Sequence, residues 1–258
     1  MNGIMNGPCL LIYLCKVIHF GHNNIQHNYT MNGNLLAKAE KERDIGVDIC
    51  RSLKPSDHCT RAAGTAFGIL YQLLRSFHYR DKKIFVQLYK TYVRPHLEFT
   101  APVWSPWLQK DILALEKVQQ KFVRNITCLK GKTYHEKLAE IGMMTLETRR
   151  TFLELVETFK IINGHTKTNR PEIFELIMDN PRRQTRSSDC PVNIIIKRSN
   201  LDIRRNFFTI RIGNHWNSLP IEIKMSGTIG NFKSKLKSYM LDYNLEPDRY
   251  GARQLTTR

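Results

Sequence analysis

The sequence predicts a mainly α-helical protein of the α+β type, with a small β-rich part at its N-terminus followed by two helical regions. Three observations predict it. Apolar residues follow a period of two, broken by turn residues, only as far as Pro55, and a period near 3.6 from there on. Helix starts and stops fall where that longer period needs them: Asp81, Ser105–Pro106 and Thr145 as starts, Asn163–Gly164 as a stop. An apolar share of 41% and an aromatic share of 10% over 258 residues suit a buried core rather than disorder.

The β-rich part covers residues 1–55. LCKVIHFG (Leu14–Gly21) reads as a buried strand ended by Gly21, Asn32–Gly33 as a hairpin turn, and RDIGVDI (Arg43–Ile49) as one further short strand. The run Cys9–Phe20 is apolar, but Lys16 interrupts it and it falls short of the roughly twenty apolar residues of a membrane span. It also lacks the basic start and small-residue cleavage site of an export signal.

A first helical region is expected over 56–130. Its opening helix runs from Ser56 or Asp57 to Phe77, with Ala63, Ala66, Phe67, Leu70, Leu73, Leu74 and Phe77 as the apolar stripe. Asp81 caps a second helix to Tyr92, with Ile84, Phe85, Leu88 and Tyr92 on one face, and Pro95 helps to end it. PHLEFTAPVWSP (Pro95–Pro106) reads as an irregular connection. The helix opened by Ser105–Pro106 turns Leu108, Ile112, Leu115, Val118, Phe122, Val123 and Ile126 inward, and Lys110, Lys117, Lys121 and Arg124 outward.

A second helical region covers 131–246. It holds helices over Tyr134–Ile141, from Thr145 to about Ile162, Pro171–Met178, Asn206–Ser218 and Asn231–Tyr243, with a strand at Val192–Lys197. In the last helix Phe232, Leu236, Tyr239, Met240 and Tyr243 face inward. Residues 247–258 form a polar tail.

Charge is the unusual property. Forty Lys and Arg against 23 Asp and Glu give a formal +17, and the isoelectric point is about 9.7. Such an excess favours a polyanionic partner, because each neutralised phosphate releases condensed counterions. An RNA or DNA backbone is the expected partner; ribosomal or membrane-surface partners would carry the same charge signature. The excess begins after Arg51, since Lys16, Lys38, Lys41 and Arg43 are balanced by Glu40, Glu42, Asp44 and Asp48. It is densest over 181–211, where Arg182, Arg183, Arg186, Lys197, Arg198, Arg204, Arg205 and Arg211 meet only Asp189 and Asp202. Trp104, Trp107, Phe207, Phe208 and Trp216 are interleaved with these cations and could stack on bases, although Phe207 and Trp216 read better as core.

Catalytic constellations are sparse. The chain has no Gly-rich phosphate loop of the GxxxxGK type, no GxSxG elbow and no HExxH helix. Asp44 and Asp48, on one strand, would share a face and could hold Mg²⁺, but no third acid stands near them. Six cysteines without a CxxC pair argue against a zinc ribbon and a secreted disulfide framework, and suit free thiols in a reducing, intracellular compartment, nucleus or cytoplasm. Cys15 with His19, His22 and His27 fits no tetrahedral spacing.

Several strings then combine in order. LYKTYVRPHLEFTAPVWSP (Leu88–Pro106) resembles the segment after the palm in reverse transcriptases of non-LTR (LINE, jockey-like) retrotransposons. LEKVQQKFVRNIT (Leu115–Thr127) and YHEKLAEIGMMTLETRRTFLELVETFKIING (Tyr134–Gly164) resemble the helices that follow, and FFTIRIGNHWNSLP (Phe207–Pro220) with FKSKLKSYM (Phe232–Met240) the family's terminal pattern. CKVIHFGHNN (Cys15–Asn24) and RDIGVDI resemble its last palm strands.

The resemblance implies a palm remnant over 1–55, a thumb-like helical region over 56–130 and a helical C-terminal extension over 131–246. The implied activity of the intact family is RNA-directed DNA synthesis with Mg²⁺. The family's catalytic aspartates precede the CKVIHFG segment, where MNGIMNGPCLLIYL contains no acid. No catalytic residue therefore carries over, and the chain alone is expected to be inactive and to hold no cofactor. What carries over is a grip on nucleic-acid backbone by Arg94, Lys110, Lys117, Lys121, Arg124, Arg182, Arg183, Arg186, Arg198, Arg204 and Arg205. The missing catalytic part of the polymerase is a further implied partner. Two other readings stay open: a free-standing basic helical protein that binds RNA or DNA without sequence preference, and a protein-interaction module. The palm remnant should leave unpaired strand edges, so a chain beginning near Ser56 is expected to be better behaved.

Overall fold

A computed structural model describes residues 15–21, 23–179 and 190–243, with side chains described as far as Leu241. The protein is mainly α with a small β part, as the periodicities predict. The β part is three separate two-stranded pieces: β1 (Lys16–Val17) parallel to β4 (Ala37–Lys38), the hairpin of β2 (Thr30–Met31) and β3 (Asn34–Leu35), and the hairpin of β5 (Lys41–Asp44) and β6 (Val47–Cys50).

Asn32 and Gly33 make the expected turn, both with positive φ (51° and 78°), as a two-residue hairpin turn of primed type demands. RDIGVDI is not one strand. Its chain reverses at Ile45–Gly46, with φ of 44° and 85°, so Asp44 stands opposite Val47 and Asp48 opposite Arg43. A β-branched residue in the left-handed region is rare, and this is what hid the turn.

The β5–β6 hairpin docks on α1 (Ser56–Ser76), and Val47 is buried in the core. Arg61 of α1 donates to the Asp48 carboxylate and to the Gly46 carbonyl (2.9 Å). His58 Nδ1 accepts from the Asp48 amide (3.3 Å) and lies 3.1 Å from Arg61 Nη2. Its ring packs on Trp104, centroids 4.5 Å apart. A chain beginning at Ser56 would lose these contacts, so the expected benefit of that cut does not extend to the β5–β6 hairpin.

The apolar face of α1 holds Cys59, Ala62, Ala63, Ala66 and Leu70, while Phe77, expected inside, is 40% exposed. Asp81 caps α2 (Lys82–Leu88) by accepting from the amides of Lys83 (2.9 Å) and Ile84 (3.1 Å). The chain does not stop at Pro95. It passes through a π-helical turn (Tyr89–Val93), closed by Arg94 N–H on the Tyr89 carbonyl, into α3 (Arg94–Glu98). Proline is tolerated in the first turn after such a change of pitch because its missing donor falls where the α ladder is already interrupted. The inward face is accordingly Phe85, Val86, Tyr89, Val93 and Leu97, whereas Ile84 and Tyr92 are exposed.

The segment expected to be irregular contains α3 and α4 (Ala101–Trp104), separated by Thr100 at φ 48°. Helix α5 (Gln109–Arg124) begins three residues after Pro106 and packs Leu115, Val118, Phe122 and Val123 against α1 and the π turn. Tyr89 stacks on Phe122 at 4.1 Å. Next come α6 (Tyr134–Glu140), opened by a Thr133/Glu136 capping box, and α7 (Leu146–Ile162), capped by Thr145.

Leu146 at the head of α7 belongs to the first core, and Phe152, Leu155, Val156 and Phe159 to a second. The cores thus divide around Met144–Leu146, beyond the division expected after residue 130, because α6 and its flanks pack on α5. The second core is completed by α8 (Arg170–Ile173), α9 (Asp202–Arg205) at its margin, α10 (Phe208–Asn217), α11 (Ile221–Lys224) and α12 (Ile229–Tyr243). Phe232, Leu236 and Met240 of α12 are buried, with Phe232 stacked on Phe159 at 4.2 Å; the Tyr243 side chain lies outside the described residues. The 171–178 helix is only α8, followed by a bend into a 3₁₀ turn at Ile177–Asp179. Val192–Lys197 is extended but has a bridge only, Leu176 to Ile194. The Asn217 amide completes its pairing, accepting from Ile194 N–H (2.8 Å) and donating to its carbonyl (2.9 Å).

A buried polar knot joins the halves. Glu116 of α5 accepts from Leu146 N–H through both oxygens (3.2 and 3.1 Å) and from the Tyr134 hydroxyl. Burial pushes its carboxyl up, against the pull of those donors. Arg150, one turn along α7, is buried, and Glu116 is the largest charge acting on it. Among the described residues its two terminal nitrogens lack hydrogen-bond partners. Glu116→Ala is therefore expected to lower unfolding stability in urea by about 1–3 kcal/mol, since it leaves the buried Leu146 amide without its acceptor and removes the carboxylate that acts most on Arg150. Adding Arg150→Met should recover part of that loss. No recovery in the double variant would refute a charge coupling between the two.

The His58 pocket gives a pH signature. Burial, then the Arg61 charge, pushes the imidazole from 6.5 to about 4. Below pH 6.5 the unfolded chain takes up a proton that the folded chain refuses, so stability is full above 6.5 and falls as pH drops towards 4. The expected loss is on the order of 1–2 kcal/mol, allowing for screening by the part-exposed Arg61 and Asp48. Urea titrations across this window should show a shallower slope for His58→Gln; an unchanged slope would exclude His58 as its source.

Candidate nucleic-acid interface

The cations singled out in the sequence do not form one surface. At about 100° per residue, Lys110, Lys117, Lys121 and Arg124 fall within one stripe of α5, on the side opposite Gln119. Lys110, Lys117 and Arg124 are exposed and Lys121 is part-exposed. None of the four has a carboxylate partner among the described residues. Lys121 Nζ lies 5.7 Å from the ring of Tyr71 on the neighbouring α1, itself 48% exposed and stacked on Phe67 at 6.0 Å. Cations beside an exposed ring can track phosphates while a base stacks.

Arg94 lies elsewhere, in a cleft on the Gln119 side of α5. The cleft, of about 230 Å³, is lined by Lys90, Arg94, Gln119, Met143, Arg149 and Lys237, with Gly142 and Met144 completing its wall. Glu98 Oε1 lies 3.0 Å from Arg149 Nε and 3.5 Å from Arg94 Nε. Lys90 and Lys237 have no carboxylate partner among the described residues. Desolvation, then the positive charges of Arg94, Lys237 and Arg149, holds the Lys90 ammonium below its ordinary value. A neighbouring groove along α2 is different: there Glu140 pairs with both Lys82 (3.2 Å) and Lys132.

A third basic patch surrounds α9. Arg198, Arg204 and Arg205 are exposed; Arg205 pairs with Asp202 at 3.2 Å, while the Arg204 guanidinium lies 5.4 Å from the ring of Phe207. Phe207 is 52% exposed, so it is not core, whereas Trp216 is fully buried and bonds the Val192 carbonyl. Phe207 immediately precedes α10. Arg211, part of the same dense stretch, is a structural clamp: it donates to Glu154 (2.9 Å), Asn206 O (2.7 Å) and Pro102 O (2.7 Å). Arg182, Arg183 and Arg186 lie outside the described residues.

Lys90, Arg149, Lys237 and Tyr71 were not singled out in the sequence. The i,i+4 spacing of Lys90 and Arg94 was legible; Arg149 and Lys237 reach the cleft only through packing of α7 and α12. A polymerase metal site does not fit the residues present. Asp44 and Asp48 lie on opposite strands, Asp48 is held by Arg61, and no group of metal-ligating side chains converges among the described residues. Burial pushes the Cys59 thiol up to about 12, which makes it a poor nucleophile. No helix among the described residues is long and apolar enough to cross a membrane.

No family model matches the chain, and no solved structure matches it. An uncharacterized protein of Caenorhabditis elegans is 25% identical over 128 residues, 48% of this chain and 64% of that protein. The chain thus spans less than two thirds of the length of this relative.

Proposed function

We propose that this chain is a nucleic-acid grip of reverse-transcriptase descent, derived from the part of a LINE-type retrotransposon polymerase that follows the catalytic palm, and that it binds RNA or DNA backbone without performing chemistry itself. The observation that carries the binding is the uncompensated cationic stripe of α5 beside the exposed Tyr71 ring. An exposed basic helix face is often only solvated. Here four cations share a face with no carboxylate partner among the described residues, and exposed surface of that sign attracts polyanions over about a Debye length. The descent rests on the ordered strings from Cys15 to Met240. The same lineage supplies the catalytic partner, a separate polymerase part bearing the carboxylates that hold Mg²⁺.

Backbone contacts fix position and carry little sequence information, so binding should vary little with sequence. Fluorescence anisotropy with a labelled RNA–DNA duplex, between about 50 and 200 mM salt, reads the mechanism. Affinity should fall linearly on a log–log plot, and Lys117→Ala and Lys121→Ala should each reduce the slope by about one. An affinity indifferent to salt would overturn the grip and favour a protein-interaction module.

A further inference from the structure

The cleft on the opposite side of α5 has the properties of a built anion site. Four elements each deliver one cation to it: Lys90 from the π turn, Arg94 from α3, Arg149 from α7 and Lys237 from α12. A single carboxylate, Glu98, is shared by the two arginines and holds them side by side. Arg149 is further fixed by the Phe152 ring, 5.1 Å from its guanidinium carbon. The arginines are therefore positioned before any ligand arrives, which removes much of the ordering cost of binding. The floor is already satisfied, since Gln119 bonds Tyr89 (3.2 Å), Tyr134 (3.0 Å) and the Met144 carbonyl (2.9 Å).

Among the described residues, four cations against one carboxylate leave a repulsive excess in a concave, part-desolvated place. Lys90 registers it, being held below its ordinary value by burial and by the other three cations. Arg149 gives Glu98 its Nε (3.0 Å) and Nη2 (3.4 Å), so a multiply charged oxyanion would relieve that repulsion by taking the guanidinium N–H groups that Glu98 leaves free, with the point charges of the lysines. We infer that the cleft of Lys90, Arg94, Arg149 and Lys237 is a phosphate-binding site, taking either inorganic diphosphate or the terminal phosphate of an oligonucleotide. The site is separate from the α5 stripe and stands whether or not that stripe grips a duplex.

Isothermal titration of inorganic pyrophosphate into the full chain tests it. The expected result is saturable binding, weakened at least tenfold in the Lys90→Met/Lys237→Met double variant and unchanged in Lys117→Ala/Lys121→Ala. Binding that does not saturate, or that falls equally in both variants, would overturn the site as mere charge attraction. Thermal unfolding guards against misfolding. Without anion, Lys90→Met should melt higher than the parent, because a repelled cation is gone, and pyrophosphate should stabilise the parent more than Lys90→Met; a lower melting point for Lys90→Met would count against the repulsion from which the site is argued. Competition by 5′-phosphorylated against unphosphorylated oligonucleotide separates the sources: preference for the phosphorylated strand assigns the terminal phosphate, no displacement by either strand assigns a free diphosphate, and equal displacement by both would overturn the site as mere charge attraction.

Discussion

The amide of Leu146 donating to the Glu116 carboxylate is the contact on which the arrangement of this molecule depends. It sets the start of α7 on the side of α5 inside the first core, with the positive end of the helix against an acidic group. From there α7 runs out to nucleate the second core, so its direction fixes where α10 and α12 lie. Arg149, three residues into that helix, is thereby set against Glu98 and Arg94, and the stacking of Phe159 on Phe232 brings α12 and Lys237 over the same cleft. A carboxylate in this position is costly. Only because Tyr134 and Leu146 donate to it, with Arg150 nearby, can it stay there.

What was legible in the sequence was local. Asp81, Thr145 and the apolar spacing of α5 announce themselves because capping and amphipathicity act within a few residues. The failures share a different cause. Ile45 in the left-handed region, the π turn before Pro95 and the extended Val192–Lys197 segment are stabilised by partners distant in sequence: Arg61 on the Gly46 carbonyl, Phe122 against Tyr89, and Asn217 on Ile194. The π turn also moves the inward position from Tyr92 to Val93, which is why Tyr92 is exposed although its spacing looked right. The cleft was hidden for the same reason, since its four cations come from four elements.

Net charge said that cations are in excess but not what they do. Arg211 belongs to the densest basic stretch, yet it is part-buried and spent on Glu154 and two carbonyls. Arg205 is engaged by Asp202, an exposed pair worth a few tenths of a kcal/mol to about 1 kcal/mol. The α5 stripe differs from both in having no carboxylate partner among the described residues, and the cleft in having Glu98 alone between two arginines and two lysines there. They also differ from each other: the stripe is convex, screened by salt and tolerant of register, while the cleft is concave and positions its donors. A single polyanion tracked by the stripe would have to pass around α5 to reach the cleft, so the two surfaces act on different phosphates.

The interior polar groups bear on that second surface. Glu116, Arg150, Glu154 and Arg211 are all fully or partly buried, and aliphatic replacements of similar volume would serve stability as well or better. Their directional bonds, however, pin α7 to α5 and to α10 at fixed points within the apolar packing that those elements also share. Arg211 alone ties α10 to α7 and to the Pro102 carbonyl of α4. A cleft made from the π turn, α3, α7 and α12 needs those elements in one fixed relation, because displacing a guanidinium by an ångström forfeits most of a bidentate contact. Apolar packing tolerates sliding, whereas a buried carboxylate paired with an amide does not. The polar knot between the two cores is therefore the part of the sequence that sets the precision of the anion site, and the apolar residues around it set only its stability.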